Sequence, residues 1–228
     1  MLWILIMVAT VLLSLGSMAY LKSTFARALQ VPVASGMTGA QAAARILQWA
    51  GIGDVQIERG ESFLGDNYDP INKVLVLSPD NFDGSSAANV GVAAHECGHA
   101  LQHQKHYAPL QIRMASVYAT NFASQAVVWV PLAAMFLHII SMYVAIWICA
   151  LSMGVIMLFN LITLPVEFDA SARAKVVLQQ LGIVRPGVEA DAVSSTLNAA
   201  GMTYVAAFLG SLLQVLYYIM LLTSERRN

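Results

Sequence analysis

Residues 92–102 read Val-Ala-Ala-His95-Glu96-Cys97-Gly98-His99-Ala-Leu-Gln102, and His95-Glu96-x-x-His99 has the residue types and spacing of a hydrolytic metal site. On an α-helix, residues four apart share a face, so His95 and His99 can offer two imidazoles to one Zn²⁺ ion. Glu96 lies about 100° around the helix, within reach of a metal-bound water without being a ligand itself. Zinc lowers the pKa of such a water towards neutrality, and a neighbouring carboxylate can take its proton as it attacks a peptide carbonyl. With five His and six Glu in 228 residues, chance supplies this pattern only about 0.003 times per chain of this composition. Ala93, Ala94, Ala100 and Leu101 favour helix, and Gly98 is small enough for a neighbouring element to approach closely. Cys97, two residues from each histidine, points away from the metal and is expected to be a small packing residue.

A catalytic zinc has three protein ligands and one open position. His103 is on the same face as His99, but one straight helix cannot easily wrap three residues spanning two turns around a tetrahedral ion. The metzincin pattern needs Gly at 102 and His at 105, where this chain has Gln102 and Lys105, so that class is excluded. Downstream acids are few: Glu167, Asp169, Glu189, Asp191 and Glu225. Glu167 and Asp169 directly follow a long uncharged stretch, and metal ligation is a reason for charge to stand there. They sit about 200° apart on a helix, so only one of them can bind the ion while that segment is helical. Donors for a tetrahedral oxyanion could come from Tyr68, Tyr107, His103, His106 or Arg173.

The elements that must position these groups belong to a membrane protein. Charged residues make up 11% of the chain and apolar residues 58%, unusual for a soluble domain and typical of a membrane protein. The net charge of −1 gives no basic surface for nucleic acid. Two cysteines, Cys97 and Cys149, make neither a disulfide framework nor a thiolate zinc site. Residues 2–21 form one apolar segment, which lacks a basic leader and is followed by its positive charge, so it reads as an uncleaved anchor with its N-terminus outside. Residues 116–165, with no Lys, Arg, Asp or Glu, hold two spans joined by a tight turn near His138–Ser141. Residues 202–222 form the fourth.

Four crossings put 22–115 and 166–201 on one side. Ten of the twelve Lys and Arg lie there against Arg226 and Arg227 opposite, which places that side in the cytoplasm by the positive-inside rule. Within 22–115, Met37–Ala50 reads as a helix capped by Thr38 and stopped by Gly51. Asp54–Glu58 and Lys73–Leu77 read as strands, Gly65–Pro70 as turn chemistry, and the helix bearing the histidines starts near Ser86. The expected fold is therefore mainly α, with four transmembrane helices and a small α+β unit between the first and second.

His95-Glu-Cys-Gly-His-Ala-Leu-Gln102, with Asp66-Asn-Tyr-Asp-Pro70 upstream and Leu164-Pro-Val-Glu-Phe-Asp-Ala-Ser171 downstream, resembles the YugP-type neutral zinc metallopeptidases of bacteria over nearly the whole chain. More distantly, the chain is similar to the gluzincin-like membrane proteases of the Ste24 and HtpX type, which pair HExxH with a downstream Glu-x-x-Ala-Asp. That resemblance implies His95, His99 and Glu167 as zinc ligands, with Glu96 as general base. Ser171 stands where the family's Asp holds a ligating histidine and could do so only weakly, which leaves Asp169 or a backbone carbonyl as candidates to take over. Fold analogy with zincins also implies that the strand 73–77 is a sheet edge on which an extended peptide pairs. The expected protein is an integral membrane zinc metallopeptidase of the cytoplasmic membrane. Its partners are the lipid bilayer and peptide or membrane-protein substrates cleaved near the cytoplasmic face. Two alternatives are an intramembrane site-2-type protease, which lacks its Leu-Asp-Gly signature here, and a non-enzymatic zinc scaffold, for which an intact Glu96 has no use.

Overall fold

The computed structural model describes residues 2–61, 65–137 and 140–225. It is mostly helical: α1 (Leu2–Leu29), α2 (Gly39–Trp49), α3 (Pro79–Asp83), α4 (Ala87–Gln104), α5 (Ala108–Leu132), α6 (Met142–Gln180) and α7 (Val188–Glu225), with strands β1 (Gln56–Arg59), β2 (Asn67–Asp69) and β3 (Val74–Leu77). Among the described residues, four helical stretches are long and apolar enough to cross a bilayer: Trp3–Leu29, Ala108–Leu137, Met142–Gln180 and Val188–Thr223. The expected turn at His138–Ser141 lies partly outside the described residues, at 138 and 139.

The chain forms two compact units. One contains the described residues of 1–17, 111–164 and 203–228; the other contains 18–110 and 165–202. In the first, the Asn160 amide donates to Ala207 O at 3.3 Å and to Ser211 Oγ at 3.1 Å, a polar clamp between α6 and α7. Pro131 removes a backbone donor near the end of α5, and the helix continues as a π-helical turn over Ala133–Leu137. Pro165 also lies inside its helix: α6 runs unbroken through it to Gln180. Residues 166–201 are thus the ends of two long helices joined by a short turn.

The second unit carries the histidines. Its sheet has the order β1-β3-β2, with β1 parallel and β2 antiparallel to β3. Two strand expectations are corrected here. Residues 67–69, expected as turn, pair with 74–76, and β3 is the central strand, so the free edges belong to β1 and β2. A sheet's order depends on which strands meet in space, which local composition does not encode.

Helix α4 begins where expected, with Ser86 as N-cap in a reciprocal box with Asn89, and α2 has the same device in Thr38 and Gln41. The apolar stripe Val90, Ala93, Ala94, Cys97 and Leu101 of α4 recurs at helical spacing and packs with Ala43 and Ile46 of α2, Leu75 and Leu77 of β3, and Val177 and Leu178 of α6. The small side chains in that stripe let the neighbouring elements come close. Cys97 lies fully buried in it, its Sγ 3.8 Å from Ala43 O, as its position in the motif implies.

The upstream segment 66–70 anchors this helix. The Asp66 carboxylate accepts from the Ser78 amide, the Ser78 hydroxyl and the Asn81 amide, and Asn81 in turn contacts Asn89 of α4. Tyr68 reaches His103 of α4, Oη to Nδ1, at 2.9 Å. Asp69 closes the β2–β3 turn through the amides of Ile71 and Asn72.

Candidate metal centre

The site forms where α4 meets α6. Gly98 makes the approach close: a Cβ built on it would lie 2.5 Å from the carbonyl oxygen of Ala170. One turn before Ala170, Glu167 then faces the two histidines. Its Oε2 lies 3.2 Å from His95 Nε2 and 3.7 Å from His99 Nε2. The imidazole rings meet edge to face at 81°, their centroids 4.8 Å apart. The three ligand atoms all lie within 4.8 Å of one another.

This donor set fits zinc. Tetrahedral bonds to nitrogen and oxygen of about 2.0–2.1 Å put neighbouring ligand atoms about 3.3 Å apart, close to the two carboxylate–imidazole separations here. Glu167 is only 2% exposed, and a carboxylate in that position needs positive charge beside it. His99 reports the same demand. Burial opposes its protonation, but the contact with Glu167 and the negative charge of Glu96 outweigh it and hold the imidazole above its usual range.

Glu96 is 8% exposed. Among the described residues no side chain is hydrogen-bonded or ion-paired to its carboxylate. Its oxygens therefore have no side-chain partner to give up before they meet a water molecule.

Around these groups, each histidine has a partner on its other nitrogen. Ser171 Oγ lies 3.1 Å from His95 Nδ1, and Gln102 Oε1 lies 3.0 Å from His99 Nδ1. The Gln102 amide donates to Val166 O at 2.7 Å and to Asp169 Oδ2 at 2.8 Å. Arg173 donates to both oxygens of Asp169, at 2.6 and 3.2 Å, and its guanidinium lies over the Tyr107 ring. The structure therefore brings Glu167, and not Asp169, to the histidines, and it gives Asp169 a place one residue further out. Arg173 and Tyr107, considered as oxyanion donors, belong to that outer network. Tyr68, His103 and His106 line a separate cavity of about 530 Å³ with Asp54 and Lys73. The contact of Gln102 with His99 was not among the sequence expectations, although the i+3 spacing on one helix face was a readable signal for it.

Two imidazoles and one carboxylate on facing helices, with a second carboxylate next to the first histidine, define the donor class of the HExxH zinc peptidases. Residues 3–223 match the family model described as "Putative neutral zinc metallopeptidase". Over 226 residues, 99% of each chain, the sequence is 39% identical to "Putative membrane protease YugP" of Bacillus subtilis (strain 168). The chain belongs to this zinc metallopeptidase family. No solved structure matches it. Membership implies zinc, and His95, His99 and Glu167 form a candidate site for it.

Proposed function

We propose that the protein is an integral membrane zinc endopeptidase in which His95, His99 and Glu167 hold the metal and Glu96 is the general base. The convergence of three donors from two helices, in a chain of this family, carries the reading. The chemistry a bound zinc supplies is Lewis acidity, which brings the pKa of water towards neutrality and polarises the scissile carbonyl. Glu96 takes the proton of the attacking water and delivers it to the departing amine. Its lack of a competing partner among the described residues suits both transfers. Glu167 contributes the negative charge that keeps the metal between the helices, and Ser171 and Gln102 hold the imidazoles that face it.

The substrates are peptides or membrane proteins cleaved near the cytoplasmic face. Glu167 follows the uncharged stretch 116–165 by two residues, and ten of twelve Lys and Arg lie in 22–115 and 166–201. The test uses full-length protein in detergent, with zinc content and cleavage of a peptide library measured for the parent, Glu96→Gln and Glu167→Ala. Glu96→Gln should keep its zinc and lose cleavage by about 10²–10⁴-fold. Glu167→Ala should lose the metal. Full zinc in Glu167→Ala would remove that residue from the ligand set, and cleavage surviving Glu96→Gln would remove the general base.

A further inference from the structure

Gln102 is fully buried, and both ends of its side-chain amide are engaged. Its partners dictate which end is which. Val166 O is a backbone carbonyl and Asp169 Oδ2 is a carboxylate oxygen already gripped by Arg173, so both are acceptors only. The NH₂ group must face them, and the amide oxygen must face His99. The oxygens facing both ring nitrogens can only accept, but Gln102 Oε1 is within hydrogen-bond distance at 3.0 Å and Glu167 Oε2 at 3.7 Å is not, so the proton of neutral His99 sits on Nδ1. The lone pair is then on Nε2, the nitrogen that faces Glu167 at 3.7 Å.

His95 has no equivalent device. Its Nδ1 meets the Ser171 hydroxyl, which can donate or accept and so leaves either tautomer satisfied. One ligand is locked and the other is adaptable.

We propose that Gln102 is a positioning residue: it fixes His99 in its metal-binding tautomer, and the Asp169–Arg173 pair on α6 fixes Gln102. This inference rests on the zinc-ligand reading of His99. It assigns to an uncharged amide, and to an aspartate that never touches the metal, the task of presenting a lone pair. The same side chain ties α4 to α6 through Val166 O, so a structural contribution has to be separated from positioning.

The experiment uses full-length protein in detergent and does not require an active preparation. Zinc affinity is measured by chelator competition for the parent, His99→Ala, Gln102→Met, Gln102→Glu, Asp169→Asn and Asp169→Ala. In the metal-free forms, ¹⁵N-histidine NMR reads which ring nitrogen of neutral His99 carries the proton, and thermal melting confirms folding. Gln102→Met removes the acceptor and should weaken zinc by about 10–100-fold, with the His99 proton moving to Nε2. Gln102→Glu also breaks the bonds to Val166 and Asp169 but keeps an acceptor for Nδ1, so it should retain the Nδ1–H form and stay closer to the parent in affinity. Asp169→Asn can still accept from the Gln102 amide and should behave like the parent, whereas Asp169→Ala removes that acceptor and should weaken zinc; parent-like affinity in Asp169→Ala would remove Asp169 from the positioning role.

A parent with the His99 proton on Nε2, or equal zinc losses in Gln102→Met and Gln102→Glu, overturns the proposal and leaves Gln102 as a strut. If the parent binds no zinc, or His99→Ala binds it unchanged, the ligand assignment itself fails. If His99→Ala loses zinc while Gln102→Met does not, only the positioning role fails.

Discussion

Replacing Gly98 by Ala adds one methyl group at the point where α4 and α6 touch, and the contacts of that methyl group set its effect on zinc binding. The new Cβ would stand 2.5 Å from Ala170 O and 3.0 Å from both the carbonyl carbon and Cα of Ala170. An unstrained carbon–oxygen contact needs about 3.3 Å, so the helices must separate by about 0.8 Å at this level. Both partners are backbone, so no side chain can rotate away to absorb the shift. Glu167 lies one turn from Ala170 on α6 and moves with it, whereas His95 and His99 stay with α4. Metal sites tolerate ligand displacements of about 0.2 Å, so the carboxylate is carried out of range. Zinc affinity should fall at least about tenfold, equivalent to about 1.4 kcal/mol.

Stability should change by a similar or smaller amount. Overpacking costs about 1–3 kcal/mol, but alanine is about 1 kcal/mol better than glycine inside a helix, so the metal-free protein loses about 0–2 kcal/mol. Gly91 on the same helix supplies the control. A Cβ there meets Val193 Cγ1 at 3.4 Å, an ordinary contact, so Gly91→Ala should gain helix stability and bind zinc like the parent. Chelator competition gives the affinities and thermal melting the stabilities. Zinc affinity in Gly98→Ala within twofold of the parent would refute the claim that this close approach sets the ligand geometry.

Three further outcomes are expected. Zinc should raise the melting temperature of the metal-free protein, by the equivalent of about 2.7 kcal/mol at a hundred times its Kd. That gain should shrink as pH falls through the elevated His99 range, because protons then compete for the ligand nitrogen; identical melting with and without zinc would count against a bound metal. Cys97, whose thiol burial pushes well above its ordinary range, should resist maleimide in folded Cys149→Ser protein and react on unfolding; prompt labelling of the folded state would contradict its placement. Ser86→Ala removes the cap of α4 and should cost about 0.5–2 kcal/mol, read as a lower melting temperature with zinc stoichiometry retained.

Local signals in the sequence were readable where the physics is local. The i, i+4 histidines and the start of α4 near Ser86 depend on one helix alone, the small size of Gly98 leaves room for a neighbour, and four apolar stretches declare themselves by composition. Glu167 and Asp169 are both acids after an uncharged run, and helical phase alone says that only one can face the histidines. Which one does depends on the rotation of α6 against α4. Strand β2 was hidden because Asp66-Asn-Tyr-Asp has turn composition and becomes a strand only by pairing with β3. The unbroken course of α6 through Pro165 was hidden for a related reason. A proline costs one backbone hydrogen bond, and tertiary packing decides whether the helix survives that loss.

Ser171 occupies the position where the more distant Glu-x-x-Ala-Asp proteases hold an acid, and its hydroxyl sits against His95 Nδ1 without dictating a tautomer. A carboxylate is nonetheless linked to the other histidine. Asp169, two residues earlier on α6, acts through the Gln102 amide on His99 Nδ1, and Arg173 one turn later neutralises it. The interposed amide passes on the orientation but not the charge, since Asp169 never approaches the imidazole directly. Among the described residues, unpaired negative charge at the candidate metal site then comes from Glu96 and Glu167, the two carboxylates to which the proposed chemistry assigns a role. The orienting acid is placed one residue further out, where Arg173 is available to pair with it.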